Sequence, residues 1–443
     1  MSRTERLDVA IDAQISPGTS GGVATFTMCL VHALGQLQDG DEIYTIIVQD
    51  QKQLDWLKPH TGPNQRIVLR PPPADAFRAN GRITLAGLLK RALGPLLPAA
   101  RSIQRLVNIE RHWPEVPVSD GFYESLGCNV LHIPTQNFVL CALPTVYNPH
   151  DLQHLHYPQF WPPSVIAWRE TIYPAGCRLA NTVTVGSQWI KDDIVRQYQV
   201  SPEKVQVIPE GPPISLYPEP STGFLAEVTR KYRLERPYAL YPAVTWPHKN
   251  HIRLLEALAY LRDNRGLAVQ LVCTGARFEA FWPRIESCIH ELRLSSQVKF
   301  LGFVPEQDLR AILRLSQFLI MPSLFEACSL PVFEAWLDGI PVGCSNAVAL
   351  PDQVMDAALL FDPKDVASIA QAMSGLATDD ALRRHLQTLG TQRAGDFDWK
   401  RTAKAYRAVY RRAAGFPLTQ EDRCLLSRDW MRDPPRKLES ITS

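Results

Sequence analysis

The sequence predicts an α/β protein of two domains, each built on a parallel β-sheet with helices on both faces. Three observations predict this architecture. The chain has 443 residues, which is enough for two separate hydrophobic cores. Short apolar runs alternate with segments of helical periodicity in both halves, which is typical of βαβ units. A Pro- and Ser-rich stretch, Pro209–Thr222, lies between the halves and is the best candidate for a domain linker.

The C-terminal half shows the alternation more clearly. The predicted strands there are Tyr238–Val244, Val269–Cys273, Val298–Leu301, Phe318–Met321, Pro341–Gly343 and Ala358–Phe361. The predicted helices between them are His251–Leu261, Phe278–Leu292, Pro305–Leu315, Pro331–Leu337 and Val366–Leu376. Because strands alternate with helices of this length, the sheet is expected to be parallel with both faces covered.

The N-terminal half repeats the pattern less regularly. Its predicted strands are Leu7–Ile11, Ile43–Val48, Val130–Ile133, Thr145–Asn148, Thr182–Val185 and Val205–Ile208. A last helix is predicted at Lys400–Ala413, and the polar tail after Phe416 is left unassigned. The predicted boundaries are 1–215 for the first domain, 216–398 for the second, 399–415 for the last helix and 416–443 for the tail.

The stretch Pro71–Pro117 interrupts the α/β pattern and is rich in basic residues. Its basic residues are Arg78, Arg82, Lys90, Arg91, Arg101, Arg105 and Arg111, against only Asp75 and Glu110. One interpretation is an interfacial helix pair that contacts anionic lipid or an anionic acceptor. The other is an insertion that packs on its own domain with a solvated basic face. Pro95 and Pro98 interrupt any long helix, which favours the second interpretation.

Composition excludes several classes of protein. A net charge of +2 does not fit a nucleic-acid-binding domain, which would be strongly basic. The nine cysteines show no CxxC pair, which indicates reduced thiols in the cytoplasm. We expect neither a signal peptide nor a transmembrane helix, because no apolar run approaches about 18 residues. The predicted location is the cytoplasm, and peripheral binding at the inner face of the membrane is left open.

The segment Pro322–Pro341 carries the strongest functional signal. A strand is predicted to end near Met321, and a helix is predicted to begin at Pro331 and to stop at Gly339. The intervening loop therefore brings free backbone N–H groups to the carboxyl end of a parallel sheet, where such folds bind ligands. A helix N-terminus at that edge favours a phosphate group. Glu326 lies in the loop, and Glu334 lies one turn into the helix.

This segment, written PS-x-x-E…LP-x-x-EA-x-x-x-G-x-P, resembles the E-x7-E motif of the family 4 retaining glycosyltransferases. The resemblance extends from Ile11 to about Arg412. It implies a GT-B fold, in which two Rossmann-like domains face each other across a cleft and a C-terminal helix returns to the N-terminal domain. It implies a nucleotide-sugar donor, GDP- or UDP-linked, and no metal. By this resemblance Glu326 contacts the donor sugar and Glu334 holds the ribose hydroxyls.

One departure from the family pattern concerns the loop itself. The family usually has Gly-Phe-Gly after the first Glu, whereas this chain has Ala327-Cys328-Ser329. The backbone donors of Ser329 and Leu330 are expected to survive the change, and the Ser329 hydroxyl adds another donor. The alternative interpretation is that Glu334 only complements the helix dipole and that Glu326 is a solvated loop residue.

Lys249 is the predicted diphosphate ligand. It follows the first strand of the C-terminal half, and an ammonium group there would stabilise the departing diphosphate. The resembled family commonly has an Arg five residues earlier, where this chain has Val244. Thr245 and His248 are expected to add hydrogen bonds. The alternative, an exposed lysine at a helix N-terminus, is disfavoured because the helix dipole repels a cation there.

His150 and two glycines are candidates from the N-terminal half. His150-Asp151 resembles the family's HDL segment, whose His lines the sugar site, although a capping role is the alternative. The neighbouring His154 and His156 raise the further alternative of a metal site. Gly21-Gly22 opens the first helix, and by resemblance it lies near the donor phosphate and the acceptor.

Three further residues complete the predicted donor site. Gly275 follows a predicted strand, and Phe303-Val304 resembles the stretch whose backbone reads the nucleobase.

The predicted function is retaining transfer of a hexose, with mannose favoured, to a glycan or lipid-linked acceptor in polysaccharide biosynthesis. The alternatives are a nucleotide-sugar epimerase of the same fold and a non-catalytic relative that binds glycans or partners. A dehydrogenase is disfavoured, because no GxGxxG follows a strand.

Overall fold

The computed structural model describes residues 6–15, 21–71, 115–213 and 218–430. In this part of the chain two parallel sheets form, one in each half. The first has seven strands in the order β3-β2-β1-β4-β5-β6-β7. These strands are β1 Asp8–Asp12, β2 Ile43–Val48, β3 Gln65–Leu69, β4 Val130–Ile133, β5 Thr145–Tyr147, β6 Thr182–Val185 and β7 Val205–Val207. The fold class predicted from sequence is confirmed.

The second sheet has six strands in the order β10-β9-β8-β11-β12-β13. These strands are β8 Tyr238–Pro242, β9 Gln270–Thr274, β10 Val298–Phe300, β11 Phe318–Met321, β12 Val342–Ser345 and β13 Leu359–Phe361. All neighbouring strands pair in parallel, for example Leu319 with Val342 and Tyr241 with Cys273. The carboxyl ends of each parallel set therefore lie at one edge, where the loops of a ligand site gather.

Helices connect the strands and cover both sheets. The helices of the N-terminal half are α1 Gly22–Gly35, α2 Gln51–Leu57, α3 Phe122–Ser125, α4 Gln153–His156, α5 Pro163–Leu179 and α6 Gln188–Tyr198. Those of the C-terminal half are α7 Thr222–Tyr232, α8 His251–Arg265, α9 Trp282–Glu291, α10 Glu306–Leu315, α11 Leu330–Leu337, α12 Leu350–Val354, α13 Val366–Thr378 and α14 Asp380–Ala394. The chain then continues through α15 Trp399–Ala413 and α16 Gln420–Ser427.

Two elements of the structure were missed from the sequence. The strand β3 was not predicted, because its sequence QRIVL places polar residues in an edge strand that is only partly buried. The tail after Phe416, left unassigned, contains α16, which begins with a capping box between Thr419 and Asp422. The stretch 72–114 lies outside the described residues, so its two interpretations stay predictions.

The last long helix, α15, packs on the N-terminal domain through a buried polar network. His132 on β4 lies between the Tyr410 hydroxyl, 2.8 Å from Nδ1, and the Asn148 amide oxygen, 2.9 Å from Nε2. The Asn148 amide nitrogen also donates to the Tyr406 hydroxyl at 3.0 Å. A buried network of this kind fixes the position of the helix, because each unpaired polar group would cost about 1–3 kcal/mol. Within the described ranges, no helix combines the length and the apolar character needed to cross a bilayer.

Candidate active site

The loop that carries Glu326 is held in place by side chains from neighbouring loops. The Ser345 hydroxyl donates to the Ser323 carbonyl at 2.7 Å. The Asn250 amide donates to the carbonyls of Pro322, at 2.9 Å, and Pro363, at 2.7 Å. These bonds join the loops after β8, β11, β12 and β13. The backbone of the loop that carries Glu326 is therefore fixed by its neighbours.

Lys249 and Glu326 form a largely buried ion pair. The Lys249 ammonium lies 2.6 Å from Glu326 Oε1, and the two side chains are only 16% and 10% exposed. Lys249 ends a single 3-10 turn, and Asn250, with φ of 62°, then reverses the chain into α8. The prediction that both residues belong to one site agrees with this geometry, although 77 positions separate them.

Glu334 lies one turn into α11, as the sequence indicates, although the helix begins at Leu330 rather than at Pro331. Burial, together with the nearby carboxylates of Asp338 and Glu306, raises the pKa of Glu334 to about 7. The described part of the chain supplies no hydrogen-bond donor to its carboxyl group. A partly buried acceptor without a donor suits the hydroxyl groups of a ribose.

We expect the affinity for a nucleotide sugar to rise about threefold between pH 6 and pH 8. In the predicted contact, the ribose hydroxyls stabilise the carboxylate of Glu334 more than its acid form, by about 1 kcal/mol, so binding is expected to improve as pH rises through the pKa near 7. The diphosphate of a nucleotide sugar does not itself titrate in this range. Calorimetric titration across this pH range measures the effect, and the Glu334→Gln variant should show no such rise. An equally steep rise in the variant would contradict the assignment.

The prediction that the Ser329 N–H is free to bind the donor is wrong, because this N–H is already hydrogen-bonded. That N–H donates to the Gln353 side-chain oxygen at 2.9 Å, and the Gln353 amide donates back to the Ser329 carbonyl at 2.9 Å. The Ser329 hydroxyl is buried and has no hydrogen-bond partner within the described residues. Leu330 is the first residue of α11, so its N–H has no intrahelical partner and stays available to a phosphate.

Thr245 and Gly275 hold the loops after β8 and β9 together. The Thr245 hydroxyl oxygen accepts from the Phe278 N–H at 2.7 Å, and the Thr245 N–H donates to the Ala276 carbonyl at 3.1 Å. Gly275 has φ of 108°, and a Cβ there would lie 2.6 Å from the Ala243 carbonyl. These residues therefore shape the loops, and direct donor contact by either of them stays a prediction.

Phe303 and Val304, the candidates for reading the nucleobase, differ in exposure. Phe303 is 74% exposed, whereas the adjacent Val304 is buried in the core. The Gly302 carbonyl accepts from the Gly275 N–H at 2.8 Å, so the Phe303 loop lies beside the Gly275 loop. Their role in reading the nucleobase stays a prediction.

His248 is buried, and burial lowers its pKa well below the ordinary value, so its ring is neutral.

His150 is oriented by a backbone carbonyl. Its Nε2 lies 2.9 Å from the Pro134 carbonyl, and its ring meets the Phe26 ring edge-on at 5.2 Å. Because a carbonyl only accepts, Nε2 carries the proton. Burial lowers the pKa of His150, so the ring stays neutral at physiological pH and Nδ1 is left as an acceptor. The residue has φ of 65°, a left-handed conformation that a capping role does not require.

The three histidines of this segment do not converge on a metal site. His156 Nε2 lies 2.6 Å from the buried carboxylate of Asp193, whereas the His154 ring packs edge-on against Tyr173 at 5.1 Å. Across the described ranges, no group of three His, Cys, Asp or Glu side chains could hold a metal ion. The arrangement therefore gives no support to the metal alternative raised by the sequence.

Gly21 faces the C-terminal domain across the cleft. It precedes α1 with φ of 53°, and a Cβ there would lie 3.8 Å from the Trp246 ring. A Cβ at Gly22 would meet no other atom within 4 Å. The rest of the predicted loop, residues 16–20, lies outside the described residues. Trp246 was not singled out from sequence, since nothing in its local pattern indicates a partner in the other domain.

Phe325 was also missed, although it joins the two domains. Its ring is 2% exposed and packs with N-terminal aromatic side chains, at 5.5 Å from His156, 6.3 Å from Tyr157 and 5.8 Å from Trp189. The Tyr157 hydroxyl also donates to the Leu324 carbonyl at 3.3 Å. The residue immediately before Glu326 is therefore anchored in the opposite domain.

Comparison with known proteins identifies the family. Residues 20–215 match the family model described as Glycosyltransferase Family 4, and residues 228–393 match the model described as Glycosyl transferases group 1. The MMP alpha-(1->4)-mannosyltransferase of Mycolicibacterium hassiacum is 30% identical over 301 residues, which cover 66% of this chain and 69% of that protein. The chain belongs to the family 4 glycosyltransferases.

Other relatives of this glycosyltransferase agree with the assignment. The O-antigen chain mannosyltransferase B of Escherichia coli is 28% identical over 268 residues, covering 59% of this chain and 69% of that protein. Anabaena Alr3699/HepE, solved in complex with UDP-glucose, superposes with a TM-score of 0.64 over 91% of this chain and 99% of that one. At 17% identity that superposition shows the shared GT-B fold alone.

Proposed function

We propose that this glycosyltransferase transfers mannose, with retention, from GDP-mannose to a glycan or lipid-linked acceptor in polysaccharide biosynthesis. The observation that carries the proposal is the ion pair of Lys249 and Glu326, with Glu334 on the adjoining helix. Two relatives are named as mannosyltransferases, which supports mannose as the sugar. GDP is proposed as the nucleotide because the chain resembles bacterial mannosyltransferases.

Donor binding exchanges the partners of the ion pair. The diphosphate takes over the Lys249 ammonium, and the sugar hydroxyls become the donors to Glu326. Both charges are therefore satisfied before and after binding, which avoids the cost of an uncompensated buried charge. The N–H of Leu330 adds a second donor to the phosphate as negative charge develops on the leaving group. No metal is required in this scheme.

The transfer step uses the acceptor hydroxyl as nucleophile. Its oxygen bonds to the anomeric carbon on the face from which the diphosphate departs, while the bond from carbon to phosphate oxygen breaks. The hydroxyl proton passes to a diphosphate oxygen, so the products are the mannoside and GDP. Nδ1 of His150 accepts a hydrogen bond from a sugar hydroxyl and orients the ring. Domain closure excludes water and limits hydrolysis of the donor.

A lipid-linked acceptor requires contact with a membrane surface. The sequence candidate for that contact is the basic stretch 71–117, whose Arg and Lys side chains suit anionic headgroups. Binding of the full chain to vesicles with and without anionic lipid tests this part of the proposal separately from catalysis.

A two-stage experiment tests the proposed function. GDP, UDP and ADP are first compared for thermal stabilisation, since a ligand of the native state raises its unfolding temperature. GDP is expected to stabilise most. GDP-mannose is then supplied with and without α-linked mannose oligosaccharides. A longer oligosaccharide and released GDP support transfer, an altered free sugar nucleotide indicates an epimerase, and no product with any donor indicates a non-catalytic relative. Undiminished transfer by both Glu326→Ala and Lys249→Ala would refute the site.

A further inference from the structure

A second pocket lies between the two domains, beside the loop that carries Glu326. It encloses about 480 Å³, and its lining includes Tyr157 and Trp189 from the first domain and Asn346 and Lys364 from the second. This volume falls within the range of about 300–1,000 Å³ that small-molecule sites span. None of Lys249, Glu326 and Glu334 lines it. The pocket is therefore a different place from the nucleotide-sugar site.

Aromatic rings form one wall of this pocket. The Tyr157 ring stacks on Phe160 at 5.4 Å with an interplanar angle of 2°, which fixes its orientation. Trp189 stands at the start of α6 and meets the Phe325 ring edge-on, with an interplanar angle of 87°. Both Tyr157 and Trp189 remain partly exposed. Rigid, partly exposed aromatic faces bury apolar C–H surface at little cost in side-chain entropy, and one face of a pyranose ring offers such a surface.

Polar groups form the opposite rim. Asn346 is exposed after β12, and its side-chain amide, which can both donate and accept, has no hydrogen-bond partner within the described residues. Asp362 and Lys364 form a tight turn, because the Asp362 carboxylate accepts from the Lys364 N–H at 2.8 Å. The rim thus carries one carboxylate and one ammonium, which together suit a neutral ligand with hydroxyl groups better than a phosphate.

The lip of the pocket also holds a strained residue. Val348 has φ of 58°, a left-handed conformation that a β-branched side chain rarely adopts. Its side chain packs against the buried cluster that contains Phe325 and the N-terminal core residues. Strain of this kind costs about 1–3 kcal/mol and concentrates at ligand sites.

We propose that this pocket is a subsite for a pyranose unit of the acceptor, a neutral oligosaccharide. The inference rests on the proposed function, because it assigns the acceptor of that same reaction. The pocket wall includes Leu324 and Phe325, the two residues that precede Glu326. An oligosaccharide held there has its chain next to the catalytic loop, at a place separate from the Gly21-Gly22 loop predicted to meet the acceptor.

The test measures binding of α-linked mannotriose to the full chain by saturation-transfer NMR, with GDP present. We expect transfer to the sugar ring protons, with Kd raised at least tenfold in Trp189→Ala and at least threefold in Asn346→Ala. Asn264→Ala, a matched change at an exposed residue of α8, should leave Kd unchanged. Since Asn346 is exposed, its variant folds even where the loss of Trp189 disturbs the aromatic wall.

The outcomes separate this inference from the function on which it rests. Unchanged Kd in both variants, or no binding by mannotriose and maltotriose alike, overturns the subsite. If GDP stabilises the protein while both trisaccharides fail to bind, the donor assignment stands and only the subsite is wrong. If a trisaccharide binds in this pocket while no nucleotide binds, the subsite stands and the proposed transfer is wrong. Mannose 6-phosphate should bind no more tightly than methyl α-mannoside, because the rim carries no net charge.

Discussion

Replacing Lys249 with methionine is expected to lower kcat/KM for glycosyl transfer by about 10²–10³-fold, the usual effect of removing one preorganised donor to a developing charge. Methionine keeps the length of the side chain and removes only the ammonium that lies 2.6 Å from Glu326. The loss should fall mainly on kcat, because negative charge on the diphosphate increases as the sugar departs. Steady-state release of the nucleoside diphosphate measures the effect.

The matched control for this variant is Lys52→Met, in which an exposed lysine of α2 is changed in the same way. It should retain transfer within about twofold. A second control is the double variant of Lys249→Met with Glu326→Gln. Because the two residues form one pair, the double variant should be less impaired than the product of the two single effects. A purely multiplicative result would show that the two side chains act independently, against the pairing seen in the structure.

Replacing Phe325 with alanine is expected to destabilise the protein by about 3–5 kcal/mol, the usual cost of truncating a fully buried phenylalanine. The lost ring is 2% exposed and packs against His156, Tyr157 and Trp189 of the other domain. Its removal therefore weakens a contact between domains as well as a core. Thermal unfolding should occur at a lower temperature and should separate into two transitions, one for each domain.

Phe303→Ala is the control for stability, because that ring is 74% exposed and its truncation should cost no more than about 0.5 kcal/mol. Calorimetry of the three proteins gives the comparison. If Phe325→Ala unfolds in a single transition at the temperature of Phe303→Ala, the ring does not anchor the loop of Glu326 in the N-terminal domain. Loss of transfer without loss of stability would instead indicate that Phe325 mainly positions Glu326.

Most strands could be predicted from the sequence because they lie in the interior of parallel sheets. A strand buried on both faces must be apolar throughout, and runs such as Ile43–Val48 and Phe318–Met321 meet that condition. The edge strand Gln65–Leu69 escapes the rule, since only part of its surface is covered and polar residues are tolerated. The helix Gln420–Ser427 was missed for a related reason, because most of its residues are polar and only its capping box marks its start.

The sequence by itself determined the two-sheet architecture, because burial and local hydrogen bonding impose their periodicity on each segment. Its resemblance to family 4 gave the family and made Glu326, Glu334 and Lys249 the candidate site residues. Only the tertiary structure decided that Lys249 pairs with Glu326, that Gln353 occupies the Ser329 N–H, and that Phe325 is anchored in the other domain. Each of these contacts joins segments brought together by packing of strands, helices or domains, so the periodicity of a single segment cannot predict them.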